Sequence, residues 1–104
     1  MRPRATIDSV AGLRTVLRPF CEKHRLRRLD LFGSAARGEA TADSDVDLLV
    51  EFEPGVRIGL MGLAQLELDL SQLIGRPVDL NTPGGLHSRF RDRVLAEAEV
   101  VYAA

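Results

Sequence analysis

Two short groups of residues in this 104-residue chain carry the types needed to handle a phosphorylated ligand. They are Gly33-Ser34 and, after ten intervening residues, Asp45-Val46-Asp47. Gly33-Ser34 follows Leu29-Asp30-Leu31-Phe32 and precedes Ala35-Ala36-Arg37-Gly38, so it should end a strand and open a short helix. Exposed N–H groups at such a junction, beside a residue without a side chain, can grip an anion. The Ser34 hydroxyl adds a donor. Gly-Ser after a strand also serves as a plain turn, so the dipeptide alone decides little.

The carboxylates say more. On a strand, Asp45 and Asp47 project to the same side, roughly 6–7 Å apart, while Val46, Leu48 and Val50 take the other side. Like charges this close are unfavourable unless a cation shares them, and a hard divalent ion such as magnesium is the natural partner. A solvated strand face remains the plain alternative. A calcium loop does not fit: Leu48 stands where its glycine is needed and Pro54 where its bidentate glutamate belongs. Asp79, between Val78 and Leu80, is a third candidate, provided a neighbouring strand brings it beside the other two. Three carboxylates around two metals can activate a hydroxyl and steady a leaving pyrophosphate. Arg37 can reach a phosphate or pair with Glu39, and Ser44 can cap a turn or support the metal pair. His24 and His87 lack partners at zinc-ligand spacing.

The elements that must position these residues alternate. A helix is expected from Asp8, capped by Thr6 or Asp8, with Val10, Leu13, Val16, Leu17 and Phe20 as its apolar stripe. Pro19 suggests a kink or an end near Arg18. Strands are expected at Arg27–Phe32 and Val46–Phe52, followed by a turn at Pro54-Gly55. A helix over Leu60–Leu73 should stop at Gly75. A short strand at Pro77–Leu80, a helix at about Leu86–Ala98 and an edge strand at Val100–Tyr102 complete the pattern. This is an α/β (α+β) arrangement, a small mixed sheet backed by helices, with residues 1–104 read as one domain.

Composition narrows the classes. Hydrophobic content of 45% and charged content of 28% are those of a globular protein. A net charge of -1 gives no general pull toward nucleic acid or anionic membranes. A single cysteine, Cys21, cannot form an internal disulfide, and no apolar run suggests a signal peptide or a membrane span, so the cytoplasm is the expected compartment.

Gly33-Ser34, ten residues, then Asp45-Val46-Asp47 resembles the signature of the polymerase-β-type nucleotidyltransferase superfamily. Gly33-Ser34-Ala35-Ala36-Arg37-Gly38, Ser44-Asp45-Val46-Asp47-Leu48-Leu49-Val50, Pro77-Val78-Asp79-Leu80 and the closing Ala98-Glu99-Val100-Val101-Tyr102 resemble its minimal nucleotidyltransferase (MNT) branch. The likeness runs from about Leu29 to the end. It implies a polymerase-β-like fold, a triphosphate held by Gly33 and Ser34, and two magnesium ions held by Asp45 and Asp47. Asp79 would complete one ion and help deprotonate the acceptor. Minimal proteins of this branch resemble antitoxins that transfer AMP from ATP to a tyrosine of a HEPN-domain RNase toxin. Two alternatives stay open: an antitoxin that masks its toxin by contact alone, and a small-molecule nucleotidyltransferase of the aminoglycoside type. From charge and hydropathy, no membrane partner and no direct nucleic-acid binding are expected. Exposed apolar and arginine-rich material on the first helix and on the Leu86–Ala98 helix is the expected docking surface for a protein.

Overall fold

The computed structural model describes residues 10–33, 36, 45–85 and 88–104. Ser34, Arg37 and Ser44, and the caps expected at Thr6 or Asp8, lie outside the described residues. In chain order the elements are α1 (Val10–Lys23), β1 (Leu26–Phe32), β2 (Val46–Phe52), α2 (Leu60–Ile74), β3 (Val78–Asn81), a 3-10 turn (Pro83–Gly85), α3 (Ser88–Glu97) and β4 (Glu99–Ala103). The strands form one mixed sheet in the order β3-β2-β1-β4, parallel between β2 and β3 and antiparallel elsewhere. This is the expected α+β layer.

Alternation within each strand divides the sheet into two faces. Leu29, Leu31, Val46, Leu48, Val50, Val78, Leu80 and Val101 are buried and join Leu13, Leu17, Phe20 and Cys21 of α1 and Leu66, Leu70 and Ile74 of α2 in one core. Arg28, Asp30, Phe32, Asp47, Glu51, Asp79 and Asn81 take the opposite parity, so they belong to the other, more open face.

Pro19 does not end α1, which runs on to Lys23. A proline in a helix interior costs roughly 3 kcal/mol. Here Phe20 and Cys21, just beyond it, are buried in the core and hold the last turn against that cost. Burial pushes the Cys21 thiol up to about 12, with neighbouring Glu22 adding to the effect. α2 ends as expected at Gly75, whose φ of 80° is left-handed and whose N–H donates to the Ser71 carbonyl. The third helix is described from Ser88, after a 3-10 turn over Pro83–Gly85, and the start expected near Leu86 lies outside the described residues.

β3 is an edge strand, and α2 covers its free N–H groups. The Val78 N–H donates to Ser71 Oγ (3.0 Å) and the Leu80 N–H to Glu67 Oε2 (2.8 Å). Those contacts satisfy an edge that would otherwise be open to pairing, and they fix the strand that carries Asp79.

Candidate active site

The antiparallel register of β1 and β2 sets Phe32 opposite Asp47, so Gly33 leaves β1 beside the Asp47 side chain. Gly33 has φ 74°, a left-handed conformation that favours glycine. The space beside it is also taken. A Cβ at position 33 would run into Asp47 Oδ2 and lie 3.1 Å from its Cγ. Glycine is therefore required twice, by backbone conformation and by the closeness of a carboxylate. Gly33 and the Asp47 side chain are thus immediate neighbours.

The parallel register of β2 and β3 supplies the next element. Asp47 and Asp79 are Cα partners, flanked by the pairs Val46–Val78 and Leu48–Leu80, whose side chains are buried on the other face. Paired strands lie about 4.8 Å apart, so two same-face carboxylates at one register position are side by side. Asp47 is half-buried and Asp79 exposed. Asp45 precedes β2 by one residue and is exposed. Among the described residues, no three His, Cys, Asp or Glu side chains form one group able to hold a metal ion. The structure thus brings Asp47 and Asp79 together with Gly33 but does not gather all three carboxylates at one point.

The same face carries residues that the motifs did not single out. Asp30 is 2% exposed, the one charged residue buried among those described. Both of its carboxylate oxygens accept from Arg28 Nε at 3.0 Å. Leu49, opposite Asp30 in the register, is also buried although it lies on the open side. The parity of Glu51 with Asp47 was visible along β2, but that of Asp30 with Asp47 required the strand register. Two arginines near β1 make local pairs: Arg28 with Asp30, and Arg25 with Glu53 at 3.5 Å.

The nucleotidyltransferase-domain family model matches residues 13–101. The chain belongs to the nucleotidyltransferase family. Protein adenylyltransferase MntA of Thermococcus cleftensis is 43% identical to this nucleotidyltransferase over 81 residues, 78% of each chain. A provisionally named protein adenylyltransferase of Methanocaldococcus jannaschii is 40% identical over 80 residues, 77% of this chain and 84% of its own. A solved chain provisionally named a minimal nucleotidyltransferase superposes with a TM-score of 0.74 at 41% identity, covering 90% of this chain and 94% of its own. An antitoxin–toxin complex solved with AMP-PNP shares the fold, with a TM-score of 0.74 at 17% identity over 88% of this chain and 73% of that one. The nucleotidyltransferase fold expected from the motifs is the fold observed. No helix among the described residues is long and apolar enough to cross a membrane.

Proposed function

We propose that this nucleotidyltransferase moves AMP from ATP to a tyrosine hydroxyl of a separately encoded HEPN-type RNase, and so acts as its antitoxin. The observation that carries the reading is the Asp47–Asp79 register with Gly33 held against the Asp47 carboxylate. The adenylyl donor and the protein acceptor are supported by the names of the relatives at 43% and 40% identity. The partner is supported by the fold shared with chains solved in toxin–antitoxin complexes.

The residues fit magnesium: their donors are hard carboxylate oxygens, two of them side by side, next to a backbone position kept clear of any Cβ. Asp45, Asp47 and Asp79 would hold the ions, which when bound neutralise triphosphate charge and make the acceptor hydroxyl more acidic. In the transfer the acceptor oxygen bonds to the α-phosphorus, the bond from that phosphorus to the bridging oxygen breaks, and pyrophosphate leaves. Asp79, the most exposed of the register pair, takes the acceptor proton. Gly33, with Ser34, lets the backbone approach the phosphates. Arg37 and Ser44 are assigned supporting contacts to the nucleotide.

The test combines the protein with labelled ATP, magnesium and the purified product of the adjacent gene. Label is expected on a tyrosine of that product, with loss of its RNase activity. A bulky anion near an RNase centre repels RNA, whose binding depends on neutralising phosphate charge. If a variant carrying Asp45→Asn and Asp47→Asn still suppresses toxicity while the tyrosine stays unmodified, contact masking replaces catalysis as the function.

A further inference from the structure

Below the carboxylates on the same face lies a cavity of about 230 Å³, lined by Arg28, Asp30, Leu49, Glu51, Pro83 and Leu95. Nucleotide-sized ligands usually occupy pockets of about 300–1,000 Å³. This one is matched instead to a single long side chain. Its walls are apolar at Leu49, Pro83 and Leu95, and Leu95 is 50% exposed. Its charge is unbalanced. Arg28 stands opposite Glu51 in the register, yet it turns along its own strand to grip Asp30 with both oxygens. Among the described residues no cation pairs with Glu51. Among the described lining residues, two carboxylates and one guanidinium leave one negative charge in excess.

Position connects the cavity to the reaction. Leu49 and Glu51 lie two and four residues along β2 from Asp47, about 7 and 13 Å away by strand rise. An extended peptide laid over the open face has the same period. With one residue at Asp47 and Asp79, its neighbour two positions away on the same side stands over Leu49. From there a side chain with a long apolar stem and a cationic head lies along Leu49, Pro83 and Leu95 and reaches Glu51.

We propose that this cavity is an acceptor subsite that takes an arginine two residues from the modified hydroxyl. The inference rests on the protein-acceptor reading and assigns its sequence preference to Glu51, with Leu95 closing over the stem. The probes are fluorescent single-tyrosine peptides with arginine or glutamate two residues from the tyrosine. Anisotropy measures their binding, and labelled ATP with magnesium measures transfer. Wild-type protein is expected to bind the arginine peptide at least tenfold more tightly. Glu51→Lys should invert that preference, and Leu95→Glu should weaken binding of a peptide with norleucine at that position; neither should change the affinity for a non-hydrolysable ATP analogue. An unchanged arginine preference in Glu51→Lys overturns the inference, as does weakened binding of the ATP analogue, which would place the nucleobase in the cavity. If a Glu51-dependent preference persists but no peptide is labelled, the failure lies with the transfer reading and not with the cavity's specificity.

Discussion

Neighbouring residues on β2 do opposite jobs because they project to opposite faces of the sheet. Val46, Leu48 and Val50 are buried against α1 and α2 with Leu29, Leu31, Val78 and Leu80. Asp47 and Glu51, between and beyond them, are half-buried on the other side, beside exposed Asp79. The register that pairs Leu48 with Leu80 in the core is the same register that pairs Asp47 with Asp79. Hydrophobic burial on one face therefore aligns carboxylates on the other. A one-residue slip of β3 would move Asp79 into the core and Leu80 into water, so the core protects the geometry of the site.

The sharpest way to test this division is to change Asp47 and Leu48, one residue apart. Asp47→Asn is expected to lower AMP transfer at least about 100-fold, the scale on which loss of one electrostatic stabiliser acts. The melting temperature should be unchanged or higher, since a carboxylate beside Asp79 is lost. Leu48→Ala should do the reverse: a loss of about 2–5 kcal/mol of stability, read by denaturant unfolding, with near-normal transfer per folded molecule. Wild-type transfer by Asp47→Asn would remove Asp47 from the site. A transfer rate that falls with Leu48→Ala even after correction for unfolded protein would mean that the two faces are not separable.

Gly33 is where the comparison becomes quantitative, because conformation and contact both act there. Gly33→Ala should destabilise the protein, and left-handed φ alone accounts for about 1–2 kcal/mol of that. The remainder comes from the collision with the Asp47 carboxylate. Repeating the substitution in an Asp47→Ala background removes the collision and keeps the strain. A double-mutant cycle should then show a coupling of about 0.5–3 kcal/mol. Additive effects would mean that the glycine serves only the turn.

Much of this was legible beforehand because strand parity and caps are local. Val46, Leu48 and Val50 were placed in the core from alternation alone, and Gly75 marked the end of α2. The meeting of Asp79 with Asp47 could only be a condition, since it depends on a parallel pairing between strands joined by a whole helix. Pro19 misled because propensity is local, whereas the burial of Phe20 and Cys21 that sustains the helix is tertiary. Asp30 and Leu49 were overlooked for the same reason: their burial on the open face comes from Arg28 and from packing near Pro83 and Leu95. The exposed large apolar side chains were placed only in part. Among the described residues they are Ile58, Leu60, Met61, Leu68 and Leu73, in or just before α2, with Leu95 alone on α3 and none on α1. Amphipathic spacing shows that a helix has an apolar stripe but not how much of it a small sheet can cover.

The smallest expected effect belongs to the core face, and it tests whether that face is dry. Cys21 is fully buried, and its thiol is pushed up from 9.0 to about 12. A raised value in the folded state favours the neutral thiol. The folded protein therefore holds a proton that the unfolded chain has begun to release above pH 9. Stability from this source is complete below pH 9 and is lost as the pH climbs through 12. Tyr102, whose hydroxyl is pushed up by burial first and then by Glu22, acts in the same direction at somewhat higher pH. Cys21→Ala should lower stability at pH 7 through the small cavity it leaves, yet its stability should decline less steeply than that of wild type between pH 9 and 11. Denaturant midpoints measured across that range on both proteins give the comparison directly. Parallel declines would show that water reaches Cys21, and that the face opposite the carboxylates is not sealed as its burial indicates.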